Sequence, residues 1–274
     1  MGRHGVTNMV TTTVGVQHLL ILLPVLLPIH DVISGGLAVE LGHGVAWSGC
    51  PGSTSAAVSD NVSDITPRCE CTTFDEIHCH NLPTVPPFPQ SPSFTWRGVY
   101  MPGQNIGDLP AGAFGKLRTA KLVLNFNRLG DRVQAGALDG QGTSLAELQL
   151  AGCEITSLPA RLLAGMDTLT RLHLWGNRLT EFPVRFFREA ANLRELMLWN
   201  NELSVLDSDT LAGLWNLRRL DLDRNFIVKL DKNAFRNLIE LRTLHIPYNR
   251  IQVAACYVSV LNSIILKYMN KKTV

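Results

Sequence analysis

Residues 169–179 read LTRLHLWGNRL, residues 193–203 read LRELMLWNNEL and residues 217–227 read LRRLDLDRNFI. The three strings share one template, L-x-x-L-x-L-x-x-N-x-L with isoleucine closing the last, and they recur every 24 residues. Their asparagines are Asn177, Asn201 and Asn225. Forward, the template continues as LRTLHIPYNRI, with Asn249 in the asparagine slot. Backward, it continues as LAELQLAGCEI with Cys153 in that slot, RTAKLVLNFNRL with Asn127, and RGVYMPGQNI with Gln104. Seven units keep one register at spacings of 23, 26, 24, 24, 24 and 24 residues. A period of this size marks a stacked-repeat architecture.

Within each unit the L-x-L core alternates apolar and polar residues, the pattern of a half-buried strand. Stacking places these strands side by side as a parallel sheet, with ~4.8 Å between neighbours. Leu196 and Leu198 then point inward, and Met197 and Trp199 outward. The asparagine falls at the turn after the strand, where its amide can serve the backbone of adjoining coils. Asn127, Asn177, Asn201, Asn225 and Asn249, with Cys153 in one place, are therefore expected to form a buried ladder. The return path carries a second apolar set: Leu203, Leu206, Leu211, Leu214 and Leu217 in one unit, Ile227, Leu230, Phe235, Leu238 and Leu241 in the next. No unit buries its own apolar face, so only stacking makes a core. The expected fold is an α/β-type leucine-rich repeat solenoid. It is a horseshoe of about seven repeats, with a parallel β-sheet on the concave face and short turns, 3-10 or helical segments on the convex face.

The repeats occupy 95–251, and three other parts surround them. Residues 19–29 (LLILLPVLLPI) form an apolar run of 11 residues behind Arg3 and His4. That is the size of a signal-peptide core and too short to span a bilayer. Gly36-Leu37-Ala38 fits a small-residue cleavage site, so 1–38 reads as a signal peptide. Residues 50–94 hold Cys50-Pro51, Cys69-x-Cys71, Cys79 and a Pro-rich link. A solenoid end needs covering, and a disulfide-rich cap does this in an oxidising compartment. Glu70, His78 and His80 lie among these cysteines, but the spacing does not match paired C-x-x-C zinc units, and no metal is expected. Asn61-Val62-Ser63 is a glycosylation sequon. The glycines of 130–144 mark a loosened convex loop in the 26-residue gap. Residues 252–274, with the odd Cys256, depart from the template and read as an irregular or truncated tail. Their apolar run, interrupted by Asn262, is short for a membrane anchor.

The repeats and the Cys-Pro, Cys-x-Cys, Cys series resemble the extracellular leucine-rich repeat proteins: small proteoglycan cores, Slit-like modules and the acid-labile subunit of growth-factor complexes. The resemblance covers 50–251. It implies cap disulfides between the first and third and the second and fourth cysteines, Cys50–Cys71 and Cys69–Cys79; spacing alone allows three pairings. Cys50-Pro51, Asp64-Ile65-Thr66-Pro67 and Cys69-x-Cys71 also look like secreted arthropod repeat proteins of the luciferase non-catalytic-subunit type. Arg68 interrupts the Pro-Cys junction expected there. That second resemblance implies an accessory subunit that stabilises a secreted enzyme.

No nucleophile, base and orienting acid share a motif, so no catalysis and no cofactor are expected. Net charge is only +2, and no strongly basic field recruits nucleic acid. Two places before the ladder residue the units read Pro102, Asn125, Ala151, Trp175, Trp199, Asp223 and Pro247. Trp175 and Trp199 are neighbours in that column. His173 and Met197 stand beside them, Phe126 and Tyr248 project from the next column, and Arg171 is one strand step before His173. Large aromatics exposed on a sheet suit a protein-binding hot spot. The bland alternative is that the tryptophans are covered by a neighbouring loop or pack on each other for stability. The functional expectation is a secreted or cell-surface module that holds a protein partner on its concave face.

Overall fold

The structure, a computed structural model, describes residues 46–48, 50, 67–72, 75–88 and 94–251. The expected signal peptide, Asn61, part of the Pro-rich link and the tail with Cys256 lie outside the described residues. Each coil contributes one short strand to a single ten-stranded sheet. Its order is β1 (Ala46–Ser48), β2 (Arg68–Cys71), β3 (Glu76–His80), β4 (Gly98–Tyr100), β5 (Lys121–Val123), β6 (Glu147–Gln149), β7 (Arg171–His173), β8 (Glu195–Met197), β10 (Arg219–Asp221) and β12 (Thr243–His245). All neighbours pair parallel except the β2–β3 hairpin.

The register follows the template. Leu172 aligns with Leu196, Leu196 with Leu220 and Leu220 with Leu244. The inward leucines of these strands, Leu148, Leu172, Leu196 and Leu220, are fully buried, and so is the return-path set from Leu203 to Leu217. Phe186 and Phe187 fill the same core in the 177–201 coil, where Phe182 packs on both rings. At the last described coil the core thins, and Leu244, Ile246 and Ile251 are half-buried.

The convex side is built from turns. Among the described residues it holds one 3-10 turn, Phe186–Glu189, and one two-stranded parallel ladder between β9 (Val205–Leu206) and β11 (Lys229–Leu230), with no α-helix. Pro110, Pro159 and Pro183 begin such turns, and proline inside a helix removes a backbone donor. In the 26-residue gap, Gly130, Gly136 and Gly140 all take left-handed conformations, which open the return path at little steric cost.

At the N-terminal end, Cys50 is bonded to Cys71 and Cys69 to Cys79. These are the pairs implied by the resemblance. Cys69 and Cys79 face each other across the hairpin and are fully buried. With all four sulfurs in disulfides, none is a thiolate available to a metal.

Backbone-to-amide bonds join the coils. Asn177 Oδ1 accepts from the N–H groups of Cys153 and Ile155, and its Nδ2 donates to the carbonyls of Leu150 and Leu174. Asn127 repeats the arrangement in full, and Asn201, Asn225 and Asn249 keep it with one accepted N–H each, from Leu179, Leu203 and Ile227 one coil back. Cys153 solves the same problem differently. Its Sγ donates to the Leu124 carbonyl at 3.1 Å. It has no side-chain oxygen, and the N–H groups of Leu129 and Gly130 turn instead to its backbone carbonyl. A second, shorter ladder runs on the opposite rim: Thr168, Asn192 and Asn216 each donate to a carbonyl one coil back.

Candidate functional site

Outward positions of successive strands form columns across the concave sheet. In the column of Trp175 and Trp199 the two indoles stack with centroids 4.5 Å apart and planes 8° from parallel. The ring of Phe126, two coils before Trp175, meets Trp175 edge-on at 5.6 Å. It reaches that far because the intervening coil has almost nothing in the way. Ala151 lies buried there, and a Cβ on Gly152 would come within 2.6 Å of the Phe126 ring. Phe126, Trp175 and Trp199 thus form one aromatic run over three coil steps. Phe126 is 57 % exposed and both tryptophans are half-buried. Neither indole N–H has an acceptor among the described residues, and neither is sealed from solvent. The stack therefore consumes ring faces and leaves edges and donors for a partner.

The position before each ladder residue is left-handed in every coil: Gly103, Phe126, Gly152, Gly176, Asn200, Arg224 and Tyr248. Glycine and asparagine suit it. Phe126, Arg224 and Tyr248 do not, and each holds a strained backbone while exposing a large side chain. Backbone strain of this kind clusters at functional sites in proteins generally. Tyr248 stands apart from the aromatic run, at the last described coil, with the Arg224 guanidinium 5.6 Å from its ring.

His173 faces Met197 across the strands. Its Nε2 is buried, lies 3.6 Å from a Glu195 oxygen and has no hydrogen-bond partner among the described residues. Burial, partly opposed by Glu195, pulls its pKa below the ordinary imidazole value. His173 is thus held neutral beside the tryptophans rather than presented as a charged contact.

Arg171 is paired within the sheet, with its side chain still partly exposed. Its Nε and Nη2 both lie 2.7 Å from a Glu147 oxygen. Glu147 stands on an outward strand position, yet it is only 6 % exposed, because Lys121 and Gln149 close over it as well. Burial alone would raise its pKa; the hydrogen bonds from Gln149, Lys121 and Arg171 outweigh that and hold the carboxyl below its usual range. Sequence reasoning missed this network. A readable signal existed: the first outward position alternates in charge as Lys121, Glu147, Arg171, Glu195 and Arg219, and these residues are adjacent in register. Asp221, also on an outward strand position, is likewise buried and lies 3.5 Å from His245.

Residues 167–225 and 191–251 match the family model described as leucine rich repeat. The fold agrees. It is a leucine-rich repeat solenoid. Human 5T4, titled Wnt-activated inhibitory factor 1 or trophoblast glycoprotein, superposes with a TM-score of 0.58 at 29% identity, over 71% of this chain and 76% of that one. A leucine-rich repeat protein of Leptospira interrogans gives a TM-score of 0.51 at 26% identity, over 64% of this chain and 42% of that one. TLR13, solved as a complex with the single-stranded RNA ssRNA13, gives 0.49 at 23% identity, over 57% of this chain. The solenoid spans only 26% of TLR13. No curated protein matches it by sequence.

Proposed function

We propose that this solenoid is an extracellular protein-binding module whose concave face holds a protein partner at Phe126, Trp175 and Trp199, with no chemistry of its own. The observation that carries this reading is the aromatic run itself. It is preorganised by stacking and exposes free indole donors. Locking such groups before binding lowers the entropy cost of ordering them. Tryptophan is also enriched among residues that dominate binding energy. His173 and Met197 extend the apolar surface. The two disulfides support an oxidising compartment, and the apolar run at 19–29 supports export.

The test is capture from the extracellular fluid of the source organism. Wild-type protein, made in a secretory host, should retain a stoichiometric protein partner, and Trp175→Ala with Trp199→Ala should lose it by tenfold or more in affinity. Equal retention by both proteins would contradict the reading.

A further inference from the structure

Four arginines at one rim of the sheet have no ionic partner among the described residues. Arg194, Arg218 and Arg242 occupy the same place in three successive coils, immediately before the strands. Backbone bonds hold them in line: the N–H of Arg218 donates to the Arg194 carbonyl and the N–H of Arg242 to the Arg218 carbonyl, each at 2.8 Å. The row therefore repeats at the strand spacing, ~4.8 Å. Arg219 lies beside it, on β10. All four side chains are exposed, and none has a carboxylate at ion-pairing distance among the described residues. Three arginines elsewhere on the sheet and its turns are engaged by contrast: Arg171 with Glu147, Arg178 with Glu154, Arg224 with Asp223. Glu195 is the one acidic side chain that faces Arg219 across the sheet. Guanidinium forks carried on a regularly spaced backbone suit planar anionic groups, which they grip with paired hydrogen bonds.

Beside the row lies an apolar pair. Trp215 and Ile239 stand three residues before Arg218 and Arg242, at equivalent places in adjacent coils, and are 46% and 52% exposed. A sulfated polysaccharide or a nucleic-acid backbone has little to bury Ile239 against. A short peptide segment with carboxylates on one side and aliphatic groups on the other satisfies both features.

We propose that the rim formed by Arg194, Arg218, Arg219 and Arg242 with Trp215 and Ile239 docks an acidic, partly aliphatic peptide segment of a protein. This surface is distinct from the concave aromatic run.

The experiment uses the full secreted chain and a short labelled peptide of alternating Glu and Leu, followed by fluorescence anisotropy. Polyglutamate of equal length, heparin and single-stranded RNA serve as comparison ligands. The Glu–Leu peptide should bind at least tenfold more tightly than polyglutamate, and binding should weaken with salt. Arg194→Glu, Arg218→Glu and Arg242→Glu together should reduce its affinity by tenfold or more. The corresponding Gln variants, closer to neutral in effect on folding, should reduce it by several-fold. Trp215→Ala with Ile239→Ala should bring the Glu–Leu peptide down to the level of polyglutamate. Trp175→Ala with Trp199→Ala should change nothing, which separates this surface from the aromatic one. Absence of peptide binding, or tighter binding of heparin or RNA than of the Glu–Leu peptide, would overturn the proposal.

Discussion

At the scale of single residues, the ladder is a matter of which group loses its only partner. Asn201 Nδ2 donates to the carbonyls of Leu174 and Leu198, but each also receives a bond from Asn177 or Asn225. The N–H of Leu179, by contrast, depends on Asn201 Oδ1. Asn201→Ala therefore strands one buried donor, at a cost of about 1–3 kcal/mol, read as a fall in the denaturant midpoint. Cys153→Asn should be milder. The N–H of Leu129 already has the Cys153 carbonyl, so a new amide oxygen finds that donor taken. Burial also pushes the Cys153 thiol up to about 11, which accounts for an inert sulfur in the middle of a ladder. His173 sets a pH dependence of definite sign. Its folded pKa lies below its unfolded one, so the unfolded chain binds more protons in that window. Stability should fall as pH drops through the ordinary imidazole range and level off below the folded pKa. In His173→Gln, urea midpoints measured across that range should lose part of this slope; an unchanged slope would place the titration elsewhere.

At the scale of the coil, the strand and its turn were legible because leucine and asparagine recur at fixed offsets. The left-handed residue before the asparagine was not, since Phe126, Arg224 and Tyr248 hide it where glycine would have announced it. The charge alternation around Glu147 was readable, but the burial of Glu147 was not, for a related reason. Alternation within one strand marks Glu147 as outward, but only side chains arriving from β5 and β7 make it buried. Phe126 depends on its neighbour coil in the same way. Gly152→Ala adds a Cβ in a left-handed backbone, roughly 1–2 kcal/mol, and presses on the Phe126 ring. Thermal unfolding should fall accordingly, and near-ultraviolet circular dichroism should report a displaced aromatic run. Arg224→Gly, at the equivalent place, relieves the same strain and gives up only the exposed contacts of Arg224 with Tyr248 and Asp223, so it should hold or raise the midpoint.

At the scale of the whole molecule, stacking divides the side chains of one strand into two populations. Leu174 and Leu198 face the core and are fully buried; Trp175 and Trp199 face the sheet's open side. The seven-fold repeat made this division readable in advance, whereas the partner of the open side is encoded in no repeat. The account rests on the tryptophan pair being a surface platform rather than a second core. Leu174→Ala with Leu198→Ala opens two cavities, each costing ~2–5 kcal/mol, enough to unfold much of the array. Trp175→Ala with Trp199→Ala removes a stacked pair whose geometry contributes about 0.5–1.5 kcal/mol beyond the area it buries. The direct measurement is thermal unfolding of both double variants beside the wild type, together with partner affinity for each that remains folded. The account predicts a small shift and a large loss of binding for the tryptophan pair, and unfolding for the leucine pair. Equal destabilisation by the two pairs would make the tryptophans structural and contradict it.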